Sequence, residues 1–160
     1  MPLSSNVHAE GLADILESVL SAAEDDILIV NPTREAVESL VAVATEYEGD
    51  LPSVRVVADE SILKEVMDDF IVASNAADLV GEGALHLKVN EVGAESALVV
   101  TREAVLSLVT AGDRVAALST EESEFVSTAF EAYREEWDGA EEYNLRTPPL
   151  SRVRETMAED

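Results

Sequence analysis

His86 and Lys88, in the stretch "HLKVNEVG", are the residues of this sequence whose types and spacing come closest to catalysis. A histidine can act as nucleophile or general acid and a lysine can hold a phosphate, so an H-x-K-x-x-x-x-D pattern would cleave phosphodiesters. Gly93 stands where the aspartate is needed, and the chain holds one partial copy of a motif that works in pairs. Because His86 and Lys88 alternate with aliphatic residues, we expect them on the exposed face of an edge strand, without a catalytic role.

Motifs for metal, cofactor and phosphate binding are missing from the sequence. There is no cysteine, and the two histidines, His8 and His86, share no motif. The acidic residues lack the spacing of a calcium-binding loop, and the seven glycines do not cluster into a phosphate-binding loop. Adjacent carboxylates such as Asp68 and Asp69 point in different directions on a helix, so we expect them to be solvated. We therefore predict neither a metal site nor a cofactor.

Polar residues that follow the first two predicted strands are candidates for ligand contact. Asn31 and Arg34 follow one strand and Asp59 follows the next, and ligands of open α/β sheets lie beyond the carboxyl ends of the parallel strands. Arg102 and Arg114 are further candidates, because bases are rare in this chain and an arginine can hold an anionic metabolite. Helix capping and pairing with nearby acids would explain the same five residues.

The charge of the chain is strongly one-sided, with 34 Asp and Glu against 10 Lys and Arg and a net charge of −24. The acids are spread along the sequence, which favours adaptation to a salt-rich solvent over an acidic surface made for one partner. In molar salt the Debye length falls to ~3 Å, so this self-repulsion is screened while the carboxylates keep the surface hydrated. The presence of only two lysines, Lys64 and Lys88, fits the same interpretation.

The composition also bounds the class of protein. A hydrophobic fraction of 47% in 160 residues is enough for one domain with a core. No apolar run approaches the roughly 20 residues of a membrane span, and the stretch "MPLSSNVHAE" lacks the features of a secretory signal. We predict a cytoplasmic protein, in a salt-loaded, archaeal type of cytoplasm, without a membrane partner.

Helices and strands are predicted to alternate in the first half of the chain. The predicted elements are a helix over 6–23, a strand over 27–30 buried on both faces, a helix over 33–47, a strand over 53–59 and a helix over 60–83. Ser5 or Asn6 would cap the first helix, Asn31 the second and Asp59 the third. Phe70 falls on the apolar face of the third helix.

Short strands joined by turns are predicted for the second half. They cover 84–89, 96–100, 105–109 and 114–120, and we expect them to pair antiparallel. A helix over 121–143, capped by Ser119 or Thr120, would follow. Its aromatic face carries Tyr133 and Trp137, which either cover the sheet or contact a ligand or second subunit. The sum is a mixed α/β fold with helices on both faces of the sheet.

Four stretches resemble the N-terminal region of the TbsP (TrmB suppressor) family of haloarchaeal transcriptional regulators. They are "EDDILIVNP", "VRVVADESILKEVMDDFIVASNAADLV", "VTREAVLSLVTAGDRVAALSTEESEFV" and "NLRTPPLSRVRETMAED". That region is similar to the effector domain of TrmB-type regulators, which implies a phospholipase-D-like fold without the catalytic motif. The stretch "SALVVTREAVLSLV" resembles the segment that carries the motif in true phospholipases. The positions aligned with its His, Lys and Asp are then Ala94, Ser96 and Thr101, none of which can do the chemistry.

The resemblance implies a ligand-sensing and dimerising domain of a regulator of sugar and gluconeogenic metabolism. Residues 1–145 would be the sensor, and 146–160 a linker and short helix, with Arg152 and Arg154 as domain contacts, leading to a winged-helix DNA-binding domain beyond these residues. The implied partners are a second copy, a sugar or phosphorylated metabolite, and promoter DNA through that further domain. A phospholipase-D-like hydrolase and a stand-alone protein-interaction module are the alternatives.

The charge generates the first testable prediction. Dialysis from molar KCl into dilute buffer should lower the thermal unfolding midpoint or unfold the domain, because carboxylate repulsion is then unscreened. Circular dichroism along a KCl titration measures this. Full stability in dilute buffer without added salt would contradict the halophilic interpretation.

Overall fold

The computed structural model describes residues 5–8, 11–23, 26–47, 50–90, 97–111 and 114–143, with the backbone alone at 5–8, 110 and 114. The elements are β1 (Ser5–His8), α1 (Leu12–Ala22), β2 (Ile27–Val30), α2 (Arg34–Glu46), β3 (Val54–Ala58), α3 (Glu60–Met67), α4 (Phe70–Gly81), β4 (Leu85–Val89), β5 (Ala97–Val100), β6 (Val105–Ala111), β7 (Arg114–Thr120), α5 (Ser123–Gly139) and β8 (Glu141–Glu142).

The strands of the described residues form one eight-stranded mixed sheet in the order β1-β7-β6-β5-β2-β3-β4-β8. β2, β3 and β4 are parallel neighbours, and every other pair is antiparallel. The antiparallel prediction is therefore confirmed for β5, β6 and β7 and wrong for β4. β4 follows the helices α3 and α4, which carry the chain back to the starting end of β3, and such a crossover produces a parallel pair.

Two hydrophobic clusters lie on opposite sides of the sheet, so the prediction of helices on both faces is confirmed. On the first side, which we call the α1–α4 face, Leu16, Leu40 and Leu63 pack against strand residues such as Val56. On the second side, the α5 face, Val126, Phe130 and Trp137 pack on Leu28, Val57 and Val100. All four residues of β2 are buried, as predicted for a strand between two layers.

The first helix is shorter than predicted. It begins at Leu12 with Gly11 at the N-cap position and no side-chain cap, so the prediction of a cap at Ser5 or Asn6 is wrong. Residues 5–8 instead pair antiparallel with β7. This pairing uses backbone groups that the edge of the sheet would otherwise leave open, a long-range gain that a local apolar pattern does not record.

The second helix begins at Arg34, one residue later than predicted. Asn31 has a φ of 53°, a left-handed conformation that Asn tolerates better than most residues. Thr33, not Asn31, caps α2, since its hydroxyl accepts from the Ala36 amide at 3.1 Å. The predicted cap of α3 is confirmed, because Asp59 accepts from the Ser61 amide at 2.9 Å.

The helix predicted over 60–83 is two helices. The carboxylate of Asp69 accepts from the amides of Ile71 and Val72, so it starts α4 instead of merely facing solvent. Phe70, expected on the apolar face, is 53% exposed as a result. The N-cap of α5 also differs from the prediction. Glu122 caps this helix in place of Ser119 or Thr120, because its carboxylate accepts from the Phe125 amide at 2.8 Å.

Candidate functional site

The underside of α5 places the only tryptophan of the chain against two cations of the sheet. The Lys88 ammonium lies 4.5 Å and the Arg55 guanidinium carbon 5.9 Å from the centroid of the Trp137 ring. Lys88 Nζ also donates to the backbone oxygen of Trp137 at 2.9 Å. A cation is favourable both over an indole face and near the last carbonyls of a helix, so Lys88 fixes the end of α5 to β4.

The strand register explains why these cations meet α5. Leu28 is the partner of Arg55, and Arg55 is the partner of His86, across three neighbouring parallel strands. Register partners share a face of a sheet, so all three point to the α5 face. Asp26 completes the group, since its carboxylate accepts from Arg55 at 3.1 Å.

His86 and Lys88, the two residues of the partial catalytic pattern, make structural contacts within the domain. β4 lies between β3 and the two-residue β8, and His86 and Lys88 are half-buried, so their prediction as the exposed face of an edge strand is wrong. His86 Nε2 lies 3.1 Å from the oxygen of Gly83, and Lys88 is held by Trp137. Gly93, like the aligned positions Ala94 and Ser96, lies outside the described residues.

Thr101, the third of the aligned positions, holds a turn. Its hydroxyl oxygen accepts from the amides of Glu103 and Ala104 at 3.1 and 3.0 Å. The residue is only 5% exposed. A threonine engaged in this way fixes the β5–β6 connection and supplies no carboxylate for acid or base chemistry.

The edge formed by the carboxyl ends of the parallel strands brings Asn31 and Asp59 together, as expected from the order of β2 and β3. Each polar group is used locally. The backbone N–H of Asn31 donates to the Val57 oxygen at 2.9 Å, and the Ser61 amide and hydroxyl both donate to the Asp59 carboxylate. These hydrogen bonds lower the pKa of the exposed Asp59 carboxyl, the amide contributing most. Arg34 contacts Glu38 on its own helix at 3.8 Å. Ligand contact by these residues stays a prediction.

The other two candidate arginines lie elsewhere. Arg102 follows β5, which runs antiparallel to β2, so it sits at the opposite end of the sheet from Asn31 and lies 4.7 Å from the Phe130 ring. Arg114 begins β7, three strands from β2, which is about 14 Å at the usual strand spacing. The side chain of Arg114 is outside the described part of the chain. The five predicted ligand residues therefore do not converge on one site.

The structure supports the interpretation that the aromatic face of α5 covers the sheet. Trp137 is 7% exposed and packs in the core, whereas Tyr133 is half-buried against the same cluster. A contact with a ligand or a second subunit through these residues stays a prediction. Arg152 and Arg154, and the segment 146–160 that holds them, lie outside the described residues.

A cleft that sequence reasoning missed lies between α1 and the β5–β6 turn, with a volume of about 200 Å³. Its lining residues are Ile15, Ser18, Val19, Ala22, Ala23, Thr101, Glu103, Ala104, Leu106, Ser119 and Glu121. Ser18 and Ala22 are one turn apart, so α1 presents two small side chains toward the turn. The spacing of the two small residues is visible in the sequence, but only the pairing of the strands shows that they face the β5–β6 turn.

None of the helices described is long and apolar enough to cross a membrane. Within the same ranges, no group of three or more His, Cys, Asp or Glu side chains is arranged to hold a metal ion.

Residues 4–148 match the family model described as "Transcriptional regulator TbsP-like, N-terminal". A search of curated proteins finds no match.

Three solved structures share the fold. TrmBL2, described as an archaeal chromatin protein with a novel mode of DNA binding, has a TM-score of 0.57 and 14% identity over 87% of this chain, which spans 54% of TrmBL2. Nuc from Salmonella typhimurium, a phospholipase D family member, has a TM-score of 0.56 and 12% identity over 88% of this chain and 97% of Nuc. NucT from Helicobacter pylori has a TM-score of 0.58 and 11% identity over 87% of this chain and 98% of NucT. The fold is therefore phospholipase-D-like, as the resemblance implied.

The two lysines of the chain provide a matched test of the Trp137 contact. Lys88→Ala should lower the free energy of unfolding by about 2 kcal/mol, because it removes a charged hydrogen bond and a cation over an indole ring. Lys64→Ala removes an exposed pair with Glu60 and should change it by less than about 0.5 kcal/mol. Denaturant titration in molar KCl, followed by Trp137 fluorescence, measures both. Equal losses in the two variants would show that the Lys88 contact contributes little.

Proposed function

The chain belongs to the TbsP-like N-terminal family of transcriptional regulators, and on this premise we propose that residues 1–145 form its effector domain. The domain binds a small metabolite and dimerises, and a winged-helix region elsewhere in the protein contacts promoter DNA. The metabolite belongs to sugar or gluconeogenic metabolism, either a sugar or a phosphorylated compound. The family match over residues 4–148 is the observation that carries the proposal.

The contacts of Lys88 and His86 on the α5 face argue against hydrolysis. A phosphodiesterase needs a lysine free to hold the phosphate, and the Lys88 ammonium is occupied by the ring and the carbonyl of Trp137. Its neighbour His86 contacts a backbone oxygen, that of Gly83. The domain is therefore proposed to have kept the phospholipase-D-like sheet without using it for catalysis.

The charge supports a separate DNA-binding region. Neutralisation of phosphates by Lys and Arg drives non-specific affinity for DNA, whereas this chain has a net charge of −24. Arg55 and Lys88, two of the ten bases, are also engaged under α5. DNA is accordingly proposed to be repelled by this domain.

An uncovered part of the α5 face supports dimerisation. α5 packs on β2 and β5, and beyond them Val109 and Leu118 are 45% and 42% exposed on β6 and β7. Their register partners on the same face, Ala116 and Ser107, are also uncharged. Self-association of so acidic a chain is least opposed where no carboxylates meet. We propose that a second copy covers this patch.

A comparison of two chains tests the role in regulation. Fluorescence anisotropy with labelled promoter DNA, at one stated KCl concentration, should show no binding by the 160-residue chain and binding by a longer chain that includes a winged-helix region. Tight binding by the 160-residue chain would contradict the proposal. Hydrolysis of bis-p-nitrophenyl phosphate that disappears in His86→Ala would support the hydrolase instead.

The dimer patch has its own test. Leu118→Asp should convert a dimer to a monomer in sedimentation equilibrium at high salt, because it places carboxylates opposite one another at the contact. Val80→Asp is the matched control, since Val80 is 39% exposed on α4, which lies on the other face of the sheet. A dimer that survives Leu118→Asp, or a monomeric starting protein, would exclude this patch as the interface.

A further inference from the structure

An exposed aromatic side chain stands beside the proposed dimer patch. Phe125, in the first turn of α5, is 54% exposed, although aromatic residues make up only 4% of the chain. It follows Thr120, the last residue of β7, by five positions. Its neighbour Val126 belongs to the cluster that holds Val105 of β6. One of the few large apolar side chains of the protein is therefore exposed next to β6 and β7.

The handedness of the fold indicates where β6 and β7 lie relative to α5. α2 packs on the α1–α4 face and connects the parallel strands β2 and β3, and such a crossover is right-handed in nearly all proteins. Seen from the α5 face with β2 pointing upward, β3 then lies to the left of β2. β5, β6 and β7 lie to the right.

The direction of α5 then decides which way Phe125 points. The first turns of α5 share a cluster with Val100, at the end of β5 that adjoins the start of β2, and the helix is followed by Glu141, which pairs with the last residue of β4. α5 therefore runs upward in the same view. In a right-handed helix that runs upward in front of a sheet, the residue before a sheet-facing one lies on the right. Phe125 precedes the sheet-facing Val126, so it faces β6 and β7.

The side of α5 that faces these strands is uncharged over two turns. Thr128 and Ala132 follow Phe125 by three and seven residues, so the three side chains form one row along the helix, and all three are exposed. The row ends at Glu122, whose carboxylate caps the helix, and at the half-buried Glu136. The exposed glutamates of the helix surface form a separate row about 100° further round the axis, at Glu124, Glu131 and Glu135.

A second copy that covers the dimer patch brings its own edge strand to this row. Packed sheets lie about 10 Å apart, and a helix with its side chains is about 10–12 Å across, so α5 and a second sheet above β6 and β7 occupy the same layer. With a two-fold axis along the strands, the second sheet ends beside α5 at its own β1, because β1 follows β7 in the strand order. An axis across the strands would instead stack the two α5 helices and hold the patches about 20 Å apart.

The outer edge of β1 suits this neighbour. None of the described strands pairs with that side of β1, and folded proteins usually cover such an open edge. β1 (Ser5–His8) contains no acidic residue, whereas β8 at the opposite edge consists of Glu141 and Glu142, both exposed. In a chain with a net charge of −24, β1 is the edge that can approach an uncharged helix row with little electrostatic cost.

We propose that the second copy docks its β1 against the row Phe125, Thr128 and Ala132, with Phe125 as the anchor of the interface. The inference rests on the proposed dimer and deepens it, because the open edge strand of each copy is then covered by α5 of the other. A two-fold interface contains Phe125 twice, once on each side of the shared patch. Large aromatic side chains surrounded by uncharged contacts are the usual anchors of protein interfaces.

Two phenylalanines provide a matched test of the anchor. Phe125→Ala should raise the dimer dissociation constant about thirtyfold, because it removes the anchor from both copies. Phe70 is 53% exposed in the first turn of α4, on the other face of the sheet, so Phe70→Ala should change this constant by less than about twofold. Sedimentation equilibrium at molar KCl measures both, and circular dichroism checks that both variants are folded.

Cross-linking tests the position of β1, since the chain has no cysteine of its own. The single variants Phe125→Cys and Asn6→Cys are mixed, allowed to exchange subunits and treated with a short bismaleimide. The mixture should give a linked dimer with one copy of each variant, joined between positions 125 and 6 as mapped by mass spectrometry. A mixture of Phe70→Cys and Asn6→Cys is the control and should give no such product.

The outcomes separate this inference from the proposed dimer. Equal dissociation constants for the wild-type chain and Phe125→Ala, or no link between positions 125 and 6, would overturn the docking of β1 on α5. If Leu118→Asp still dissociates the dimer in that case, the patch remains the interface in another arrangement. A wild-type chain that is monomeric at high salt would exclude the dimer and the docking of β1 together.

Discussion

Two cations on adjacent strands of a sheet have to be accommodated beneath a helix, and the α5 side of the molecule is arranged around them. Arg55 and Lys88 point to the same face, where an apolar helix would leave their charges without partners. Trp137 resolves this with an indole face for both and a helix-terminal carbonyl for Lys88. Asp26 compensates the charge of Arg55 at 3.1 Å. The end of α5 is thereby fixed over β3 and β4, and the Tyr143 amide then donates to the Leu87 oxygen at 3.0 Å.

The position of α5 decides which parts of the sheet remain uncovered. Because its far end is held over β3 and β4, the helix crosses β5 and β2 and covers Val105 at the start of β6, but it leaves Val109 of β6 and Leu118 of β7 exposed on that side. The consequence is visible at Val109 and Leu118, which stay exposed although they belong to regular strands. In a chain with a net charge of −24, such an uncharged surface is a place where association costs little electrostatic energy. The contact of Trp137 with Arg55 and Lys88 thus sets the position of α5, and that position leaves the proposed dimer patch exposed.

The sequence predicts the elements whose causes are local and misses those whose causes are distant. Four adjacent aliphatics sufficed to predict β2 as a strand buried on both faces, and Asp59 followed by Glu60 and Ser61 sufficed for a cap. The pairing of residues 5–8 with β7 depends on a partner more than a hundred positions away. The division of α3 from α4 depends on whether Asp69 caps or faces solvent, which the apolar pattern does not decide.

The candidate site was less predictable than the fold for the same physical reason. Asn31, Arg34 and Asp59 were chosen for their position after parallel strands. In the structure the backbone N–H of Asn31 donates to Val57, Arg34 pairs with a glutamate of its own helix, and Asp59 caps α3. The cleft is lined instead by several small residues. A small side chain indicates a cleft only when the elements that surround it are known, because the cleft is the space that a larger side chain would fill. On a helix that packed tightly against the sheet along its whole length, Ser18 and Ala22 would leave no open space. They form a wall here because Thr101 folds the β5–β6 connection into a compact turn opposite α1.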